Sequence, residues 1–372
     1  MSESNQTPSK ADETELLQLR QEIDQLDQEI LNLISRRAQC ALRVAEVKMK
    51  ADPGQAVFYR PEREAQVLSR VMERNPGPLG NEDMARLFRE IMSACLALER
   101  PLEVAYLGPE GTFTQQAAKK HFGQWVKTKP MPAIDEVFRE VDAGAVQYGV
   151  VPIENSTEGV VNHTLDTFIT SNIKIVGEVE LRIHHHLMAG PNTNRDKITR
   201  VYSHQQSLAQ CRKWLDAHMP QAERIAVNSN AEAARRVQGE WNSAAIAGEM
   251  ASELYDLEII ETKIEDSPDN STRFLIIGAQ EVDTSGADKT SLVVSMRNEP
   301  GALYHLLKPF NDFGVDMTRL ESRPSPSGNW TYVFFIDFVG HTRDANVQEA
   351  LSAIRKTAVE VKVLGSYPKG VL

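Results

Sequence analysis

The chain is poor in cysteine. Its three residues, Cys40, Cys95 and Cys211, are far apart and form no CxxC pair, which excludes a disulfide framework and a cysteine-built zinc site. No apolar run approaches the roughly 20 residues that a membrane-spanning helix needs. Positive charge is in deficit: 41 Lys and Arg against 52 Asp and Glu give a net charge of −11. Such a surface repels phosphate backbones, so no nucleic-acid partner is expected. Neither GxGxxG nor a P-loop occurs, so no nucleotide or nicotinamide cofactor is indicated. The triplet His184-His185-His186 has no third-ligand spacing around it. Packing and hydrogen bonding at a strand explain it better than metal. The opening "MSESNQTPSKADETE" lacks the basic start and apolar centre of a signal peptide, so a cytoplasmic location is expected.

What remains is an ordinary globular composition, 41% hydrophobic and 25% charged in 372 residues, enough for roughly two to three domains. Three regions differ in pattern. Over 12–100 the apolar residues Leu16, Leu19, Ile23, Leu26, Ile30 and Leu33 alternate steps of three and four, the signature of a helical stripe. Nothing interrupts it until Pro53-Gly54. A helix over about 13–50 would run about 55 Å at 1.5 Å per residue. The two shorter helices expected after it, opening at Pro61 and at Asn81 as N-cap, are too short to cover that stripe. The long helix is therefore expected to pair with a second copy of the chain. Over 102–280 short apolar runs alternate with helical patterns, which argues an α/β domain. After the polar linker "EVDTSGADKT", residues 290–367 read βαββαβ, a ferredoxin-like sandwich.

In the helical region Arg37 falls on the stripe, and Lys48 lies about three turns along the same face. Buried cations need partners, and the seam offers no carboxylate. Arg63 and Glu64 sit at the first turn of the second helix; Cys95 and Glu99 are i,i+4 neighbours on the third. Burial of Glu99 would raise its pKa and favour a neutral carboxyl that can donate a hydrogen bond. Internal salt bridges are one account. The excess of cations also suits a dicarboxylate ligand. "LRQEIDQLDQEILNLISRRAQCALRVAEVKMK" with "FYRPEREAQVL" resembles the all-helical class of chorismate mutases. The resemblance implies a dimer in which Arg37, Lys48 and Arg63 of one chain and Arg20 of the other bind chorismate, and Glu64 takes the ring hydroxyl. Cys95 and Glu99 stand where some members carry Ser and Gln; a protonated Glu99 can still donate to the ether oxygen.

Four polar clusters follow strand-like runs in the second region: "YLGPEGTFT" at 106–114, "VPIENSTEG" at 151–159, "YSHQQ" at 202–206 and "STRF" at 271–274. Each alone reads as a turn or a helix cap. Together, in this order and spacing, they resemble prephenate dehydratase. The resemblance implies two α/β lobes, periplasmic-binding-protein-like, with the site in the cleft between them. Prephenate loses water and CO2 to become aromatic, so its departing hydroxyl needs a donor. Thr272 is assigned to that hydroxyl and Arg273 to the pyruvyl carboxylate. Glu154, Asn155, Ser156, Ser203, Gln210 and Phe274 are expected to bind and orient the substrate.

In the third region "NEPGALYHLL" at 298–307 and "LESRP" at 320–324 resemble the ACT domain attached to such dehydratases. The resemblance implies L-phenylalanine bound between two ACT domains of a dimer. It assigns the effector site to Asn298, Gly301, Ala302 and Leu303 at a helix N-terminus and to Glu321, Ser322 and Arg323 in the second motif. The expectation is a bifunctional chorismate mutase–prephenate dehydratase under feedback inhibition. A mutase–prephenate dehydrogenase fusion would need the absent nicotinamide motif, and a solute-binding module would need an export signal.

Overall fold

The computed structural model describes residues 10–51, 57–324 and 332–371. The Pro53-Gly54 break and most of the polar opening lie outside the described residues. The chain divides into two compact units, one from Met1–Tyr59 and Ile91–Pro101, the other from Arg60–Glu90 and Leu102–Leu372.

Three helices come first: α1 (Lys10–Ala51), α2 (Pro61–Arg74) and α3 (Asn81–Glu99). As expected, α1 is one uninterrupted rod, and its stripe from Leu16 through Leu33 is exposed in the single chain. Asn81 does not cap α3. It is the first helical residue, and its Oδ1 accepts a hydrogen bond from Asn75 Nδ2 at 2.9 Å.

The α/β region forms two lobes. The first runs β1 (Glu103–Leu107), α4 (Phe113–Phe122), β2 (Lys127–Met131), α5 (Ile134–Asp142), β3 (Tyr148–Asn155), β4 (Gly159–Val160), α6 (Asn162–Thr170) and β5 (Lys174–Arg182). The second contains β6 (His186–Ala189), β7 (Arg200–His204), α7 (Gln205–Gln210), α8 (Arg212–His218), β8 (Glu223–Val227), α9 (Asn230–Val237), β9 (Ser243–Ala247), α10 (Glu249–Tyr255) and β10 (Glu258–Glu261). The chain then returns to the first lobe as β11 (Ser271–Gly278), which lies antiparallel between β3 and β5. The sheet orders are β2-β1-β3-β11-β5, with β4 on β3, and β10-β6-β9-β7-β8. Two segments thus link the lobes, around 183–185 and 262–270. His184 and His185 lie on the first of these, and only His186 belongs to a strand, so the strand alternation expected for the triplet does not hold.

The C-terminal region is βαββαβ as expected: β12 (Asp288–Met296), α11 (Ala302–Asp312), β13 (Met317–Pro324), β14 (Tyr332–Val339), α12 (Ala345–Thr357) and β15 (Glu360–Pro368), in sheet order β13-β14-β12-β15. Strand alternation gives this sheet two apolar faces. Leu292, Val294 and Ile336 pack with Leu306, Phe310 and Ile354 of its own helices. Val293, Phe335, Leu364 and Tyr367 share one core with Ile153, Ile175, Leu275 and Ile277 of the first lobe. The two sheets approach so closely at Gly365 that an added Cβ would lie 2.1 Å from the Ile175 carbonyl oxygen. Glycine is required there for contact, whatever its φ.

Candidate active site

The α1 unit carries one half of the predicted chemistry. Lys48 Nζ donates to the carbonyls of Val57 at 3.0 Å and Phe58 at 3.3 Å, and stands over the Phe58 ring at 5.5 Å. Arg37 is half-buried, Cys95 is buried, and Arg20 is exposed. Glu99 has one carboxyl oxygen, Oε2, buried without a hydrogen-bond partner. Burial raises its pKa, and Lys48 and Arg37 only partly offset this. A carboxyl in that setting favours the neutral form, which can donate. In the other unit, Arg63 is exposed and the Glu64 carboxylate accepts from Arg89 Nε at 3.1 Å. Glu64 is therefore in a salt bridge, but with Arg89, a partner that the sequence did not suggest.

The dehydratase motifs meet at a cavity of about 500 Å³. Its walls take Gly111 to Thr114 from the first motif, Asn155, Glu158 and Gly159 from the second, His204 and Gln206 from the third with Gln210 beyond it on α7, and Thr272 and Phe274 from the fourth. Asn155 Oδ1 accepts from the backbone N–H groups of Thr157 (2.9 Å) and Glu158 (3.0 Å). This fixes the amide orientation, so Nδ2 donates to Thr272 Oγ1 at 2.8 Å and to Asn270 Oδ1 at 2.9 Å. A donor on Oγ1 makes the Thr272 O–H itself a better donor and leaves it free for a ligand. Asn270, 2% exposed, then donates to Gln210 Oε1 at 3.0 Å. His185 Nε2 meets the same oxygen at 2.8 Å, and since that oxygen accepts, the imidazole carries its proton on Nε2. Burial depresses the His185 pKa, which the hydrogen bond to Gln210 opposes. Glu265 fixes the crossover by accepting from His184 Nδ1 and the His185 N–H.

Four expected residues lie elsewhere. Ser203 is fully buried and donates to the Ile246 carbonyl at 2.7 Å; His204, not Ser203, caps α7. Ser156 accepts from the Ser271 N–H at 3.0 Å, tying down the 269–271 loop outside the lining. Glu154 and Arg273 are paired across β3 and β11, in register with each other and one step from the pair Asn155–Thr272. One step in a strand is the opposite face. Arg273 therefore turns to the C-terminal sheet, where it donates to Glu178 Oε2 (2.8 Å), Asp337 Oδ2 (2.7 Å) and the Tyr367 hydroxyl (3.2 Å). Burial works against its charge, but Tyr367, Asp337 and Glu178 more than reverse this, holding the guanidinium ionised beyond its ordinary range. Glu154 pairs with Arg319 Nε at 3.1 Å. The assignment of Arg273 to a substrate carboxylate is thus corrected: its partners here are protein groups.

Among the described residues, no Lys or Arg lines the cavity. Two helix N-termini reach it. Thr112 and Val161, the N-cap residues of α4 and α6, both line it, and neither helix has a side-chain cap. Free first-turn N–H groups are suited to carboxylates. The Thr112 hydroxyl instead donates to the carbonyls of Leu107 and Pro109. Among the described residues, no group of three or more His, Cys, Asp or Glu is placed to hold a metal ion, and no helix is long and apolar enough to cross a membrane.

Residues 19–100 match the family description Chorismate mutase type II, residues 104–282 Prephenate dehydratase, and residues 290–356 ACT domain. A bifunctional chorismate mutase/prephenate dehydratase of Pseudomonas aeruginosa is 66% identical over 97% of this chain and all of its own length. The chain belongs to the bifunctional chorismate mutase/prephenate dehydratase family. The Neisseria gonorrhoeae member is 51% identical over 96% of this chain and 98% of its own. Among solved structures, a prephenate dehydratase from Arthrobacter aurescens in complex with L-Phe has a TM-score of 0.67 and 33% identity, covering 72% of this chain and 90% of that one. Like other members, this protein is an enzyme with both activities, joined to an ACT domain.

The pKa shift of Glu99 gives a signed prediction for the mutase. A raised carboxyl pKa keeps the donor form at low pH and loses it as pH rises through that value. Mutase kcat/KM is expected to fall with rising pH, and Glu99→Gln, a donor at every pH, is expected to flatten the profile. A wild-type profile already flat between about pH 5 and 9, with substrate ionisation unchanged, would exclude this role.

Proposed function

We propose the following division of labour, with boundaries at 12–100 for the mutase, 102–280 for the dehydratase and 290–367 for the ACT domain. In the mutase, Arg37, Lys48, Arg63 and a partner chain's copy of Arg20 hold the two carboxylates of chorismate, Glu64 takes the ring hydroxyl, Cys95 contributes to binding, and neutral Glu99 donates to the ether oxygen. The rearrangement is intramolecular, so the site need only select a compact conformer and stabilise developing charge. The exposed stripe on α1 supports an intertwined homodimer, and the outer edge of β13, unpaired among the described residues, supports a second contact between ACT domains. Sedimentation showing only monomer at micromolar concentration would contradict this. The composition and the full-length bacterial relatives support work in the cytoplasm without nucleic acid, membrane or cofactor.

In the dehydratase, the observation that carries the reading is the 2.8 Å bond from Asn155 Nδ2 to Thr272 Oγ1 at the wall of the cavity. Thr272 donates to the departing hydroxyl of prephenate. The bond to the ring carboxylate breaks, its electron pair becomes ring π density, hydroxide leaves and is protonated to water, and CO2 is released. A cation locked on the ring carboxylate would stabilise the ground state and oppose this step; among the described residues the lining has none. The pyruvyl carboxylate takes the N–H groups at the start of α4 and α6. Asn155, Gln210 and Phe274 orient the ring, and Asn270 positions Asn155 and Gln210. The ACT domain binds L-phenylalanine near Asn298, Gly301, Ala302, Leu303, Glu321 and Ser322 and slows the dehydratase; the Phe complex of the Arthrobacter protein supports this. Arg323, also expected at that site, is left out of it, because its guanidinium is taken up by the Asn162 carbonyl and Asp166.

Thr272→Ala is expected to lower dehydratase kcat by about 10²–10³, with KM changed less than about threefold. Asn270→Ala is expected to lower kcat in the same way but less, and neither change should affect mutase turnover. Parallel assays with chorismate and with prephenate check this. A main effect of Thr272→Ala on KM would reverse its assignment.

A further inference from the structure

Two arginines of β13 reach into the dehydratase lobe, and the reaction described above uses neither. Arg319 pairs with Glu154 at 3.1 Å and is 13% exposed. Arg323 Nη1 donates to the Asn162 carbonyl at 2.7 Å and pairs with Asp166 at 3.1 Å. Both targets adjoin the cleft. Glu154 immediately precedes Asn155 in β3, and Asn162 and Asp166 lie on α6, whose N-cap Val161 lines the cavity together with Val160 of β4.

β13 alternates strictly along its length. Arg319, Glu321 and Arg323 are half-buried, while Leu320, Ser322 and Pro324 are exposed. It is an edge strand, paired only with β14 among the described residues. Its inner side is therefore fastened to two walls of the dehydratase cleft, and its outer side and edge are open. Arg319 stands opposite Asp337 in the β13–β14 register, and Asp337 holds Arg273. Across the interface the lobe presents Glu154, Arg273 and Glu178 against Arg319, Asp337 and Lys289, opposite charges in all three pairs. Such a lattice fixes one register and resists sliding. A shift of β13 must either carry Glu154 and α6 with it or break both contacts.

We propose that Arg319 and Arg323 are positioning residues for the dehydratase, and that through them an occupant of the ACT domain changes the dehydratase rate. They hold β3 and α6, and so the Asn155–Thr272 pair and the open start of α6, in working geometry. The second half rests on the reading of the ACT domain as a phenylalanine sensor; the first half does not.

The test uses the full chain carrying Arg319→Gln, Arg319→Lys and Arg323→Gln. Dehydratase kcat and KM, mutase kcat, L-phenylalanine binding by calorimetry and the inhibition curve are measured for each. Arg319→Gln is expected to lower dehydratase kcat by about tenfold or more, leave mutase kcat unchanged, bind L-phenylalanine as before and lose most inhibition. Arg319→Lys, which keeps the cation, is expected to recover part of both. Wild-type kcat and inhibition in both Gln variants would overturn the proposal, as would inhibition lost only in proportion to binding. If Arg319→Gln fails to fold, Arg323→Gln and Arg319→Lys decide by the same criteria. A wild-type enzyme that L-phenylalanine neither binds nor slows would remove the sensor reading, while the kcat comparison would still judge the positioning role.

Discussion

Side chains alternate across a β-strand, and this one constraint organises the dehydratase half of the molecule. β3 and β11 are paired so that Asn155 meets Thr272 and Glu154 meets Arg273. The first pair faces the cavity and the second faces the C-terminal sheet. Catalytic chemistry and domain docking are thereby built into the same two strands, one residue out of phase. A one-residue slip of either strand would exchange the faces and destroy both.

The back face is held by charge as well as by apolar contact. The shared core of Ile153, Leu275, Phe335 and Tyr367 provides the non-directional attraction. The pairs Glu154–Arg319, Arg273–Asp337 and Glu178–Lys289 add direction. Buried ion pairs contribute little net stability once desolvation is counted, but they penalise every misregistered arrangement. Asp337 illustrates the cost and its compensation. Burial pushes its pKa up, and Arg273 and Ser291 more than offset this, leaving it below its ordinary value. A depressed carboxylate pKa contributes stability above the unfolded value that is lost as pH falls through the folded one, so the contribution of Asp337 to this docking is lost in acid.

Much of this was legible in the sequence, and the gaps have physical causes. The periodicity of α1, the βαββαβ order after the linker and the four motif clusters all correspond to elements in the structure. Strand faces were not legible. In "STRF" the hydroxyl and the guanidinium are adjacent, and a strand in a sheet covered on both sides carries apolar residues on each face, so pattern alone does not say which neighbour faces the cleft. The same ambiguity hid Glu154. Asn270 was missed because a buried asparagine in a loop reads as a turn residue. Only its links to Asn155 and Gln210 reveal it. Ser203 misled in the other direction: a serine in a polar cluster at a strand end was expected to bind substrate, but here it anchors β7 to β9 through the Ile246 carbonyl.

The central claim is that the two faces of the β3–β11 pair act as one body, so that what happens at the ACT domain reaches Asn155 and Thr272. Hydrogen–deuterium exchange of the full chain with and without L-phenylalanine tests it most directly. The account predicts changed protection in β13 together with 150–156, 160–166 and 271–274. A change confined to the ACT residues, in enzyme whose dehydratase rate falls on adding L-phenylalanine, would contradict it.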